Sequence, residues 1–376
     1  MLCLGGVYAW SFFVPMMEKQ LGFSHTQTQL IIGFNIGFFA LAMVFTGRLE
    51  KRLGPIKMAF FSALFLFSGY KLAANSGGAF PVVFVCVSLL TGIGIAFGYV
   101  TCLVVPAKNF PERRGLAVGI SVAGFGGGAI VLSRMASYFI QSQPGLAFLP
   151  LIDQIGNIYG LLGLLLFSGI RYPFVSERTP LFETPVSRRD KRFLILFFIL
   201  FSVSFAGLLI LSNLKTLVIK ISGNESFAVY AISLFAAGNM LGRVFWGWFL
   251  DFAGPRRTFT AAILILVFSL FGFGFVQDLR IVELMIFGIA LGYSFCFVTM
   301  PWLTHQVYGQ ERLGSIYPLV FLAYGLAGIL GPIFSGLLFE FTGSFQFGVY
   351  ISASVALLGL IAFGLNRKAL VGTGSK

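Results

Sequence analysis

Charge is scarce in this sequence: Asp, Glu, Lys and Arg make up 10% of its 376 residues, and only 13 are acidic. With 57% hydrophobic residues and a mean hydropathy of +0.92, a soluble fold of this length could not cover its apolar surface. Lipid must therefore be the main solvent. Histidine is rarer still. His25 and His305 lie far apart near expected helix ends and suggest no site. The four cysteines, Cys3, Cys86, Cys102 and Cys296, fall in apolar runs without metal-ligand spacing and read as buried small hydrophobes. An integral membrane enzyme would need His, Asp, Glu or Cys clustered at a bilayer surface; none is found, and neither an enzyme nor a cofactor is expected. Polar/apolar alternation in segments of about ten residues is also missing, which argues against an outer-membrane barrel.

What is present is a train of continuous apolar runs, each near the roughly 20 residues that cross a bilayer as a helix. They predict twelve transmembrane helices at 1–17, 29–46, 58–74, 81–105, 115–140, 152–170, 193–212, 227–250, 258–276, 281–304, 313–338 and 346–365. The fold class is thus an all-α membrane protein. The net charge of +13 follows the same pattern. With the amino terminus inside, nineteen of the 26 Lys and Arg fall in cytoplasmic segments, while the outer loops hold Lys19, Lys71, Lys215, Lys220 and Arg280. That positive-inside bias places both termini in the cytoplasm, as a multi-pass protein of the cell membrane. The basic surplus is topological, and nucleic acid is not an expected partner.

The chain also repeats itself. Gly47-Arg-Leu-Glu-Lys-Arg-Leu-Gly54-Pro55 after helix 2 returns 200 residues later, after helix 8, as Gly247-Trp-Phe-Leu-Asp251-Phe-Ala-Gly254-Pro255. Glu112-Arg113-Arg114-Gly115 before helix 5 returns as Glu311-Arg312-Leu313-Gly314 before helix 11. Two pseudo-symmetric six-helix halves follow, at 1–170 and 193–366, with a basic cytoplasmic linker at 171–192 and a tail at 367–376. Parallel repeats of this kind place a binding site near the bilayer midplane, between the halves.

Arg243 is the residue this layout must explain, because it lies about two turns inside an otherwise apolar helix. A cation there costs several kcal/mol unless it is paired or reaches water. A carboxylate elsewhere in the bundle could pair with it, yet nearly all acids lie in loops or at helix ends. The other reading is an anion site, since a guanidinium fork matches a carboxylate in bidentate fashion. Asn239, one turn away on the same face, could add a hydrogen bond. Arg134 and Asp153, the other buried-looking charges, read as a structural ion pair. The glycine runs Gly92-Ile-Gly94, Gly124-Phe-Gly-Gly-Gly128 and Gly238-x-x-x-Gly242 read as close helix contacts.

The paired loops resemble the Gly-x-x-x-Asp-Arg-x-Gly-Arg-Arg signature of the major facilitator superfamily. The second copy matches at Gly247, Asp251, Gly254, Arg256 and Arg257. The first keeps Gly47 and Gly54 but has Lys51 in place of the Asp. In the family that Asp ties the loop to a neighbouring helix in one transport state, so the resemblance implies a gating role for these loop residues, the first loop departing from the pattern at Lys51. Phe110-Pro-Glu-Arg-Arg-Gly-Leu-Ala-Val-Gly119 with Ala123–Gly128 is similar to the monocarboxylate transporters and oxalate/formate antiporters. Tyr8-Ala-Trp10-Ser, Phe201–Leu209 and the helix 8 run Asn239-Met-Leu-Gly-Arg243 extend the resemblance along the chain.

The resemblance implies alternating-access transport of a small monocarboxylate such as lactate, pyruvate or formate, with Arg243 on its carboxylate and Asn239 beside it. Aligned on helix 11, Tyr324 stands where the oxalate/formate antiporter carries a Lys. One cation suits one carboxylate, so oxalate-like exchange is the alternative. Further pocket candidates are Tyr8 and Phe12 on helix 1, Tyr99 on helix 4, Phe205 on helix 7 and Tyr293 on helix 10. The helix 8 Asp and helix 1 Lys of proton-linked relatives are replaced by Asn239 and Phe12. Exchange, facilitated flux, or proton co-transport in which Arg243 and the cargo share the charge is therefore expected. A monomer in the bilayer is expected. Helix 1, at 17 residues before Glu18, is short for a span and aligns with the middle of the family's first helix, so roughly a dozen upstream residues are expected.

Overall fold

The computed structural model describes residues 1–110, 114–167, 169 and 190–371. Those residues are almost wholly helical, and twelve helices cross the bundle. α1 opens as a 3₁₀ turn at Leu4–Ala9 and continues as Trp10–Leu21; α4 covers 80–109, including a π-helical turn at Val85–Leu90; α5 is Arg114–Ser142 and α6 Phe148–Phe167. α7 is Lys191–Ser222, α10 covers 279–308, α11 is Gln310–Thr342 and α12 Gln346–Val371. Among the described residues, eight helices are long and apolar enough to cross a membrane. Two of these, His25–Ala74 and Glu225–Phe275, are each a pair of spans: α2 (25–53) with α3 (55–74), and α8 (225–253) with α9 (255–275).

The repeat recurs in backbone geometry. Gly54 (φ 79°, ψ 163°) and Gly254 (φ 77°, ψ 167°) turn the chain at a single residue, where a side chain would be strained. Pro55 and Pro255 then start the next helix, a position that needs no N–H donor. Gly22 and Gly223 end α1 and α7 in the left-handed conformation. Ser24 and Asn224 then cap α2 and α8, accepting from Gln27 N and Phe227 N at 3.1 Å.

Small residues let the halves meet along two seams. Between α2 and α11, a Cβ on Gly33 would lie 2.9 Å from Gly328 O, and one on Gly328 only 2.3 Å from the Ile36 side chain. The other seam brings α5 onto α8, where a Cβ on Gly126 would meet Asn239 Oδ1 at 2.9 Å; on the same helix, within the first half, one on Gly128 would meet Gly5 C of α1 at 2.4 Å. Gly238 and Gly242 likewise lie against Ala290 and Ser294 of α10. The glycine runs thus serve close packing, as van der Waals-driven association in lipid requires.

Three expectations need correction. Helix 7 does not stop at 212 but runs to Ser222, which makes Lys215 a buried residue of the bundle rather than part of an outer loop. Asp153 does not pair with Arg134; it binds Lys71 of α3 at 2.8 Å, while Arg134 lies on an exposed face of α5. His25 also has a structural setting, described below. Glu112, Arg113, Lys376 and all but 190–192 of the expected linker lie outside the described residues.

Candidate functional site

α8 presents Asn239 and Arg243 one helical turn apart, both buried, with Arg243 only 3% exposed. Arg243 Nε donates to Asn239 Oδ1 at 2.9 Å, and Nη1 donates across the α5–α8 seam to Val122 O at 2.8 Å. Arg243 Nη2 and Asn239 Nδ2 are buried and have no hydrogen-bond partner. No carboxylate pairs with Arg243 among the described residues, so the ion pair considered from sequence is not formed there. Its charge is met instead by aromatic faces, with Cζ 4.4 Å from the Phe297 centroid and 5.8 Å from that of Phe125. Two donors without acceptors in a dry interior are costly unless something accepts from them.

Around the guanidinium runs a shell of rings from both halves. Phe125 is met edge-on by Tyr8 (5.3 Å) and Tyr99 (5.4 Å). Phe297 is met in the same way by Tyr293 (5.3 Å) and Tyr324 (5.4 Å). Three phenols converge, Tyr8 Oη lying 3.1 Å from Tyr324 Oη and 3.4 Å from Tyr293 Oη. The cluster joins α1, α10 and α11 across the two halves. Gly207 of α7 makes room for Tyr293, since a Cβ there would lie 2.1 Å from its ring. Of the residues singled out from sequence, Arg243, Asn239, Tyr8, Tyr99, Tyr293 and Tyr324 are therefore brought together. Phe12 packs instead on Phe13 and under Lys215, and Phe205 packs against Phe201 and Phe334.

Phe125, Phe297 and the Val122 carbonyl belong to the cluster without having been anticipated. Phe125 lies inside the Gly124–Gly128 run, and a lone ring in a stretch of glycines was the available signal. Lys215 was likewise missed. Its ammonium is 2.8 Å from Glu225, 3.4 Å from the Phe12 carbonyl and 4.4 Å from the Phe12 ring centroid. In the loop motif Gly54 and Gly254 form the turns described above, whereas Asp251, Arg256 and Arg257 are exposed and Gly47 has open space around it.

A transporter relative from Wickerhamomyces anomalus, described as the probable transporter MCH1, is 24% identical over 90% of this chain and 77% of its own length. The oxalate:formate antiporter of Oxalobacter formigenes is also 24% identical, over 88% of this chain and 80% of its own. Monocarboxylate transporter 12 of Xenopus laevis is 22% identical over 76% and 68%. Among solved structures, a bacterial homologue of the human lysosomal transporter Spinster superposes with a TM-score of 0.75 at 13% identity, covering 100% of this chain and 96% of that one. The family model of the Major Facilitator Superfamily matches residues 1–317 and 196–373. The chain is a membrane transporter rather than an enzyme, and it belongs to the Major Facilitator Superfamily.

Proposed function

We propose that this transporter carries a small monocarboxylate between its two halves by alternating access, with Arg243 as the anchor for the carboxylate. The observation that carries the reading is the pair of unpaired buried donors, Arg243 Nη2 and Asn239 Nδ2, one turn apart on α8. A carboxylate offers two acceptor oxygens and one negative charge, which answers both donors and the guanidinium together. The tyrosine hydroxyls beside Phe125 and Phe297 supply further donors without adding a second cation, which favours one carboxylate over two. Similarity to an oxalate:formate antiporter and to monocarboxylate transporters supports the same cargo class. Because Arg243 also donates to Val122 O on the opposite half, cargo that takes over this donor would loosen the α5–α8 seam as it binds. The basic loops support an orientation with the Gly54 and Gly254 turns in the cytoplasm and the α1–α2 connection outside.

The test is uptake of a panel of labelled acids, including pyruvate, lactate, formate, oxalate and a neutral control, by proteoliposomes holding the purified protein. Saturable uptake of a monocarboxylate, lost in Arg243→Gln, is the expected result. Uptake confined to uncharged solutes would overturn it.

A further inference from the structure

Where α1 meets α2, the two halves are joined by polar side chains away from the Arg243 cluster. His25, the first residue of α2, is 7% exposed and lies between Glu18 of α1 and Asn213 of α7. Its Nδ1 is 2.5 Å from Glu18 Oε1, and its Nε2 is 2.7 Å from Asn213 Oδ1. Glu18 and His25 belong to the first half, Asn213 to the second.

The hydrogen bonds fix a proton count. Asn213 Nδ2 donates to Leu209 O and to Ser335 Oγ, each at 2.9 Å. A backbone carbonyl can only accept, so the amide cannot be turned round, and Oδ1 is the atom facing the imidazole. His25 Nε2 must then carry a hydrogen. A neutral imidazole would have only a lone pair left at Nδ1, set against the Glu18 carboxylate. The short contact needs a second hydrogen, held on Nδ1 or on the carboxyl. Either way the closed arrangement holds one proton more than a neutral imidazole beside an ionised carboxylate, which is how such groups stand in water above neutral pH. With hydrogen on Nδ1 alone, Nε2 and Asn213 Oδ1 would meet lone pair to lone pair in a buried site.

Few other charges face this ring. Glu340 of α11 accepts from Thr26 N at 3.0 Å. Lys220 of α7 lies 4.0 and 5.3 Å from the Phe339 and Phe345 centroids, the two rings that also flank His25. Lys215 is held by Glu225 and Phe12. The Glu18 side chain is 33% exposed, which gives a proton a way in.

We propose that Glu18 and His25 bind one proton when the halves close at this end and release it when they part, making this junction a protonation site of the transport cycle. It rests on the alternating-access reading above, and not on the identity of the cargo. It also supplies what the sequence did not offer, a protein carboxylate able to carry a proton.

The experiment places spin labels at Ala79→Cys and Gln277→Cys, exposed positions of opposite halves at this end. The background is the full chain with its four native cysteines changed to Ser, in lipid nanodiscs. Pulsed EPR distances are read between pH 5.5 and 8.5. One proton taken up on closure makes the short-distance population grow relative to the long one as pH falls, by up to about tenfold per pH unit. His25→Gln keeps a donor for Asn213, and Glu18→Gln keeps a donor for Nδ1, without the ionisable proton; each is expected to flatten the response. A wild-type distance indifferent to pH, or a response unchanged in both variants, would overturn the proposal. Uptake of labelled pyruvate is measured on the same protein. Its absence would count against the carboxylate reading while leaving the distance result intact.

Discussion

Arg243 donates through Nε to Asn239 Oδ1 one turn earlier on the same helix and through Nη1 to Val122 O, which leaves Arg243 Nη2 and Asn239 Nδ2 without an acceptor. Those two donors must therefore find acceptors elsewhere. Arg243→Gln removes the charge and the fork while leaving the helix polar at that point. Losing one partner of a buried charge-assisted contact costs about 2–5 kcal/mol, so monocarboxylate affinity is expected to fall by about thirtyfold or more with expression retained. Arg243→Lys is expected to recover only part, because an ammonium lacks the planar fork. Concentration-dependent uptake for the three proteins decides the point, and equal affinity in Arg243→Gln would exclude Arg243 as the anchor.

Asn239→Asp places a carboxylate against the guanidinium that the cargo is proposed to use. An internal anion competes with an external one, so uptake is expected to drop at alkaline pH and recover on acidification as the new carboxyl takes up a proton. The comparison is the ratio of variant to wild-type uptake across pH. A ratio that does not vary would mean that Asn239 and the cargo do not share Arg243.

Tyr324 bears on selectivity. Tyr324→Lys adds a second cation beside the Tyr8 hydroxyl, and the preference for oxalate over pyruvate is expected to rise. Tyr324→Phe serves as the control, removing a hydroxyl whose hydrogen bond contributes about 1 kcal/mol without adding charge. If competition assays show the same oxalate-to-pyruvate ratio in all three proteins, Tyr324 does not face the cargo.

Gly128 tests the α1–α5 packing rather than the site. A Cβ there would meet backbone atoms of Gly5 and Leu2, both at 2.4 Å, and backbone yields less readily than a side chain. Gly128→Val is expected to lower thermal stability in detergent, an overpacking cost of about 1–3 kcal/mol. Gly47→Ala, with nothing within 4 Å of the added carbon, is expected to be neutral or slightly stabilising. Equal melting temperatures for Gly128→Val and wild type would mean that α1 and α5 are not held as closely as described.

Twelve helices, the duplicated turn at Gly54 and Gly254, and the Asn239–Arg243 face could all be read from the sequence, because each is a local pattern of period, punctuation or misplaced charge. Partners across the bundle could not. Arg134 and Asp153 lie about equally far from Gln143–Pro144, the bend between α5 and α6, but depth along a helix does not say which face a side chain takes. Lys71 on α3 holds the carboxylate instead. Lys215 reads as a loop residue because a charge in an apolar run resembles the end of a span; its partners, Glu225 and the Phe12 ring, come from α8 and α1. His25 looked idle for the same reason, since Glu18 precedes it by only seven residues but Asn213 follows by 188.

Counted back from the glycines that end them, α1 and α7 are the same helix of a duplicated plan, and Asn213 and Lys215 occupy the places of Phe12 and Val14. The amide and the ammonium that the second copy brings to this end therefore have no counterpart in the first, which offers a ring and a branched aliphatic at those places. Two identical copies facing each other could not make this junction: two first halves would bring His25 to an apolar wall, and two second halves would have no imidazole to bring. Divergence between the copies, rather than the duplication itself, equipped this mouth of the protein with a lock. A hybrid assembled from two first halves would be expected to keep the helix count and lose the fastening.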